Sequence, residues 1–194
     1  MESFRSELIP EEPQTRPRRS PAVGFLLEVL QTVIMALVLY FVIDLVLGRV
    51  RVENISMLPT LQPGEFILVN KMAYRLGDYH RGDVVIFHYN EQEDYIKRVI
   101  GLPGDVIHVQ GGVVYVNEYP LTEPYIAAPP NYTGSWTVPD GQIFVLGDNR
   151  NQSSDSHSWG FVSETNVVGR ALVVYWPLDN FQILNHGPTV QAAN

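Results

Sequence analysis

In the stretch "RVENISMLPTLQPGEF", residues 51–66, a serine at position 56 sits among Ile55, Met57, Leu58 and Pro59. Proline fixes its own φ and biases Leu58 toward extended backbone, so the hydroxyl of Ser56 is held rather than loose. A held hydroxyl beside apolar side chains suits a nucleophile, which then needs a base. The chain has two lysines, Lys71 and Lys97. Lys71 lies in a charged, turn-rich stretch and reads as a solvated surface residue. In "YIKRVI", strand alternation puts Tyr95, Lys97 and Val99 on one face and Ile96, Arg98 and Ile100 on the other. Bulky neighbours on its own face would desolvate the amine, lower its pKa and turn it into a general base. The third piece is "GDNRNQSSDSHSWGF", residues 147–161, where Asp148, Asn149, Arg150, Ser153, Ser154, Asp155 and His157 directly follow the strand-like "QIFVL". Taken singly, each piece has a plainer reading: a turn serine, a strand lysine with a hydrated head, and a polar surface loop.

These residues must be positioned by something, and the surrounding text is strand-rich. The runs "EFILVN", "GDVVIFHY", "DYIKRVI", "DVIHVQ", "GVVYVNEY", "QIFVLG" and "VVGRALVVYW" carry valine, isoleucine and aromatics between closely spaced turn residues, which predicts a mainly β body of antiparallel sheets. "VQGGVVYVN" reads as a hairpin around Gly111 and Gly112. Residues 119–141 hold five of the chain's fourteen prolines and little periodicity, so they form an excursion from the main sheet. Ahead of the strands, residues 22–48 are apolar apart from Glu28, Gln31, Thr32 and Asp44, long enough for one transmembrane helix. Both carboxylates lie toward the ends of the run, where interfacial water can solvate them. Residues 1–21, with four prolines and "RPRRS", read as a disordered tail.

Composition excludes several classes of function. The chain carries 13 basic and 21 acidic side chains, a net charge of −8, which argues against a phosphate-tracking nucleic-acid surface. It has no cysteine, which removes disulfides, thiol nucleophiles and Cys-ligated zinc. His80, His88, Asp83 and Asp105 show no metal-ligand spacing, and no cofactor is assigned.

In order along the chain, "SMLPTL" (56–61), "RGDVVIF" (81–87), "YIKRVIGLPGD" (95–105) and "GDNRNQSSDSHSWGFV" (147–162), preceded by the apolar helix, resemble the type I signal peptidases, membrane-anchored serine proteases that remove signal peptides from exported preproteins. The resemblance implies Ser56 as nucleophile and Lys97 as its neutral general base. It places Ser153 and Asp155 beside the lysine, where a hydroxyl can orient the amine. It implies a β-rich catalytic domain over residues 49–194 with a small inserted region at about 106–146. It implies a single-pass protein of the cell membrane, its tail cytoplasmic and its catalytic domain extracytoplasmic, acting as a monomer on preproteins at the bilayer surface. Ser56 follows Gly48 by eight residues, so the reaction would occur within about 30 Å of the anchor's end. By the same resemblance the enzyme cuts after small-x-small sequences, and Ile55, Met57 and Leu58 are candidates to line its pockets.

The chain departs from the family's pattern at two places. Asn54 stands two places before the nucleophile, where a small hydroxyl residue or glycine is common. Its carboxamide can donate, so Asn54 and the backbone N–H of Ser56 are the oxyanion candidates. His157 stands where an arginine can occur and pair with the nearby aspartate, a pairing that histidine would make weaker and pH-dependent. A Ser/His/Asp triad assembled from one short loop is disfavoured, because it would leave the lysine block without a purpose. Two other classes compete: a membrane-anchored β-domain that binds without catalysis, and a Ser/Lys self-cleaving repressor, for whose DNA-binding module the chain lacks room.

Overall fold

The computed structural model describes residues 21–184, and the expected tail, Pro21 apart, lies outside them. The chain divides into two units between Phe41 and Val42. Helix α1 (Pro21–Val46) accounts for the described part of the first unit and ends in the second. At about 1.5 Å per residue its 26 residues extend about 39 Å, more than the roughly 30 Å of bilayer hydrocarbon. None of its apolar window is buried by protein, so the Leu, Val, Ile and Phe side chains are presented outward all round. The Thr32 hydroxyl donates to the Glu28 carbonyl at 2.9 Å, satisfying a polar group inside the apolar run.

The helix stops two residues short of the expected Gly48, because Leu47 already belongs to a strand. β1 (Leu47–Arg51) pairs antiparallel with β2 (Phe66–Asn70), Leu47 opposite Asn70 and Arg51 opposite Phe66. The edge of β2 takes the backbone groups that a longer helix would have used internally. Lys71 closes the helix end: its N–H donates to the Val46 carbonyl at 2.9 Å and its Nζ to the Asp44 carbonyl at 2.8 Å. It thus caps two of the orphan carbonyls of the last turn.

Beyond β2 come a short helix α2 (Ala73–Leu76), then β3 (Val84–His88) and β4 (Asp94–Gly101). β5 (Val106–Gln110), β6 (Val113–Val116), β7 (Tyr119–Pro120) and β8 (Gly134–Thr137) follow, and then β9 (Gln142–Leu146). Helix α3 (Ser156–Trp159), β10 (Val162–Ser163), β11 (Val167–Trp176) and β12 (Gln182–Ile183) are the last helix and strands among the described residues. The body is mainly β. One antiparallel sheet has the order β1-β2-β11-β3-β4-β9-β10, with β12 on β11, and a second has the order β7-β6-β5-β8.

The central strands of the large sheet are covered on both faces. Val84 and Ile86 pack with Met57, Leu61, Ile67 and Val69, while Val85 and Phe87 pack with Val99, Ile143 and Val145 on the other side. Burial on both faces explains why "VVIF" is continuously apolar instead of alternating. The small sheet turns Ile107, Val109, Val114 and Val116 onto Ile100, Phe144 and Leu146 of the large one. The expected hairpin is present, with φ of 60° and 80° at Gly111 and Gly112, as a tight two-residue turn requires.

The inserted region is shorter than expected. It ends with β8, because β9 returns to pair with β4, Arg98 opposite Leu146 and Val99 opposite Val145. The proline-rich excursion also contains two strands, β7, which pairs with β6, and "GSWT" of β8, which finds its partner in β5.

Candidate active site

Ser56 lies on the loop between β1 and β2, and that loop is pinned from below. Met57 and Leu61 are buried in the core, and the Leu61 N–H donates to the Met57 carbonyl at 2.9 Å. The Leu58 N–H donates to the Ile55 carbonyl at 3.1 Å, and the Leu58–Pro59 bond is cis. Farther on, Thr60 Oγ1 donates to Asp148 Oδ2 at 2.6 Å, and the buried Glu65 carboxylate accepts the Gln62 N–H at 2.9 Å. Met57 and Leu61 therefore act as anchors, and the hydroxyl is left at the surface of a groove.

Lys97 comes from β4, opposite Val85 of β3, and is 4% exposed. Its Nζ donates to Ser56 Oγ at 3.0 Å and to the Ile96 carbonyl at 3.1 Å, and sits 4.9 Å from the centre of the Tyr95 ring. Burial pushes its pKa down to about 8, against the opposing attraction of the Asp155 and Asp148 carboxylates. Tyr95 and Lys97, read as neighbours on one strand face, are neighbours in space.

Asp148 and Asn149, at the start of the polar loop, reach under the Ser56 segment. The Asn149 N–H donates to the Ser56 carbonyl at 3.0 Å and its Nδ2 to the Ile55 carbonyl at 3.1 Å. Gly147 must be glycine, since a Cβ there would collide with both Ser153 Oγ and the Ser56 carbonyl oxygen. Asp155, fully buried, accepts the Gly147 N–H at 2.9 Å and pairs with His157 Nδ1 at 2.6 Å. The His157 ring stacks on Tyr132 with centroids 4.0 Å apart, and the partner of the Ser56 hydroxyl is Lys97. Arg98, on the strand face opposite Lys97, grips Asp148 through Nε at 2.8 Å and Nη2 at 2.6 Å.

The sequence-derived residues fall into three groups. Ser56 and Lys97 meet directly. Asn54 and Ile55 are exposed on the groove, which Met57 also lines from the core side; Leu58 is not among its lining residues. Ser153 occupies the same small space as Gly147 and the Ser56 carbonyl, yet its buried Oγ makes no hydrogen bond, to Lys97 or to any other described residue. The groove has a volume of about 780 Å³ and runs between residues 50–57 and the β3–β4 hairpin from Glu91 to Lys97, with Gln152 and Ser154 at its side.

Thr60, Arg98 and the pairing of Arg150 with Glu123 escaped the sequence reading. The alternation of β4 already puts Arg98 on a buried face in need of an acid, but nothing local names Asp148, fifty residues away.

Residues 26–176 match the family described as "Signal peptidase, peptidase S26". The chain is 39% identical over 202 residues to Signal peptidase I of Leptolyngbya laminosa, covering 97% of this chain and 100% of the relative. It is 42% identical over 179 residues to Probable signal peptidase I-2 of Synechocystis sp., covering 88% and 82%. With Signal peptidase I of Bacillus caldolyticus it shares 43% identity over 145 residues, 67% of this chain and 80% of the relative. A solved signal peptidase I from Enterococcus faecalis aligns with a TM-score of 0.45 at 31% identity, covering 48% of this chain and 97% of that one.

Proposed function

From the premise that the chain belongs to the signal peptidase family of S26 peptidases, and so is an endopeptidase acting on signal-peptide-bearing preproteins, we propose that it works with Ser56 as nucleophile and Lys97, in its neutral form, as general base. The observation that carries this reading is the 3.0 Å contact between Nζ and Oγ, made by a lysine that burial has brought down to about 8. At pH 7 a lysine with that value is the free amine in about one molecule in ten, whereas a solvated one is free in far fewer than one in a thousand.

The steps follow from these positions. A preprotein strand lies in the groove with its scissile carbonyl over Ser56. The neutral amine of Lys97 takes the hydroxyl proton as Oγ bonds to the carbonyl carbon. The resulting oxyanion accepts hydrogen bonds from the Ser56 N–H and from the Asn54 carboxamide. As the C–N bond breaks, the Lys97 ammonium gives its proton to the departing amine. A water, deprotonated in turn by Lys97, then attacks the acyl ester, and as the acyl C–O bond breaks the Lys97 ammonium returns its proton to Ser56 Oγ. The pair needs no histidine, a variant of the serine-protease arrangement known on unrelated folds.

Ser153, beside Gly147, has its hydroxyl available to turn toward the amine, and Asp155 supports it by fixing the Gly147 N–H. Small residues one and three places before the cut enter the groove, with Ile55 and Met57 among its walls. Helix α1 anchors a monomer with residues 1–21 on the cytoplasmic side and the catalytic body outside. Cleavage then takes place at the bilayer surface, where a signal peptide still held by its apolar segment is presented at high effective concentration.

The test is Ser56→Ala in the full-length chain, incubated with a preprotein whose new N-terminus is sequenced. Loss of cleavage in a folded protein is expected, and near-normal turnover would remove Ser56 from the role.

A further inference from the structure

The inserted region contributes no residue to the groove, yet one of its carboxylates is wired to the loop beneath the nucleophile. Glu123 lies between β7 and β8, with its side chain 5% exposed. Both carboxylate oxygens accept from the terminal nitrogens of Arg150, and the Tyr125 hydroxyl donates to Oε1 at 2.7 Å. Arg150 is itself buried, and its Nε donates to the Gly147 carbonyl at 3.1 Å. The Tyr125 ring lies 4.1 Å from the guanidinium carbon of Arg98, the residue that holds Asp148. The glutamate and tyrosine thus fasten both arginines that flank the 147–149 turn. That turn donates to the Ser56 and Ile55 carbonyls.

We propose that Glu123 is a positioning residue for the peptidase reaction: by holding Arg150 against the Gly147 carbonyl it fixes the turn on which the Ser56 segment rests. The inference depends on the Ser56 and Lys97 assignment above. A guanidinium offers only donors, so a buried one needs a carboxylate to accept both of its terminal nitrogens. Glu123→Gln keeps the shape but leaves one amide NH₂ facing the guanidinium and one positive charge uncompensated. Arg150 must then shift toward water and release Gly147. Glu123 itself lines no part of the groove, so substrate binding is largely retained while the alignment of Oγ and Nζ is lost.

The experiment uses the full-length chain in detergent and a soluble signal-peptide substrate, with kcat and KM measured separately and Tm recorded. Glu123→Gln should lower kcat about 10- to 100-fold, in keeping with the cost of a small misplacement, and leave KM within about threefold. Glu123→Gln combined with Arg150→Met removes the stranded charge and should restore Tm, but not kcat, because the donor to the Gly147 carbonyl is gone. A wild-type kcat in Glu123→Gln, a change confined to KM, or recovery of kcat together with Tm in the double variant would each overturn the proposal. The last would reduce Glu123 to charge balance within the fold. Should Glu123→Gln fail to fold, the charge-balanced double variant decides by its kcat alone. Ser56→Ala runs alongside. Activity there would sink the nucleophile assignment, an outcome distinct from failure of the Glu123 proposal while Ser56→Ala is inactive.

Discussion

The eight-stranded and four-stranded sheets are made of the same valine- and isoleucine-rich strands, but what they enclose differs. Inside the small sheet, Ile107, Val109, Val114, Val116, Leu121 and Val138 form an apolar interior. The large sheet and its loops bury Glu65, Asp83, Lys97, Arg98, Asp148, Arg150, Asp155 and Ser156. Apolar burial is the ordinary way to hold a sheet together, whereas each buried charge costs free energy unless a partner or a task offsets it. Arg98 and Asp148 pair with each other, and Glu65, Asp83, Arg150, Asp155 and Ser156 each have polar partners elsewhere in the chain. Lys97 instead has a neutral hydroxyl, a carbonyl and an aromatic face, contacts that offset little of its burial and that the proposed role of general base would account for. The segment between β7 and β8 joins this polar network through the carboxylate of Glu123, which pairs with Arg150.

The sharpest way to break this contrast is to remove the lysine. Lys97→Met and Lys97→Arg should both lack activity, the second because guanidinium stays protonated in proteins. In the wild type, kcat/KM should rise with pH along a limb centred near 8, where the buried amine loses its proton. Stability should follow the same titration. The folded-state value lies below the unfolded value of 10.5, so between the two the unfolded chain holds more protons and stability rises with pH across that window. Ser56→Ala, which keeps the lysine, should gain roughly 3 kcal/mol between pH 7 and 10.5 relative to Lys97→Met, read from denaturant melts. An active Lys97→Arg enzyme, or equal pH slopes in the two variants, would mean the lysine is neither base nor buried cation.

A smaller effect is expected at Asn54, whose exposed side chain stands on the groove two residues before Ser56. If its carboxamide donates to the oxyanion, Asn54→Ala should reduce kcat by about 10²-fold with little change in KM. An unchanged kcat would leave the Ser56 N–H without this helper.

Much of this arrangement is readable along the chain because it is local. The face shared by Tyr95 and Lys97, the Gly111–Gly112 hairpin and the continuous apolar run of β3 depend on near neighbours, and each occurs where alternation or turn chemistry sets it. The end of α1 was not readable. "LG" extends the apolar run, and it is pairing with β2 that makes it strand. β8 was hidden for a similar reason: "GSWT" has weak strand character among prolines and is formed by β5. At the site, the residue types that attract notice are legible, but their couplings are not. Arg98 with Asp148, Arg150 with Glu123 and Tyr132 with His157 join segments that only the fold brings together. The crowding that demands glycine at 147 involves Ser56, ninety-one positions earlier, and leaves no local trace.

The mildest change tests whether the insert acts on the reaction through its charged contact or merely by being folded. Ile107 is fully buried on β5, in the apolar core with Val138, and lines no part of the groove. Ile107→Val removes one methylene from this interior and leaves β-propensity intact. The expected loss is about 0.5 to 1.5 kcal/mol, measured as a shift of the denaturation midpoint. Because the cavity lies in the apolar core and the Glu123–Arg150 pair is unaltered, kcat and KM per folded molecule should equal those of the wild type. Glu123→Gln, a change of similar size in the same region, should behave in the opposite sense, with kcat falling while KM holds. If Ile107→Val lowers kcat as much as Glu123→Gln does, the insert influences catalysis through its general packing, and the division between an apolar support and a polar working sheet is wrong.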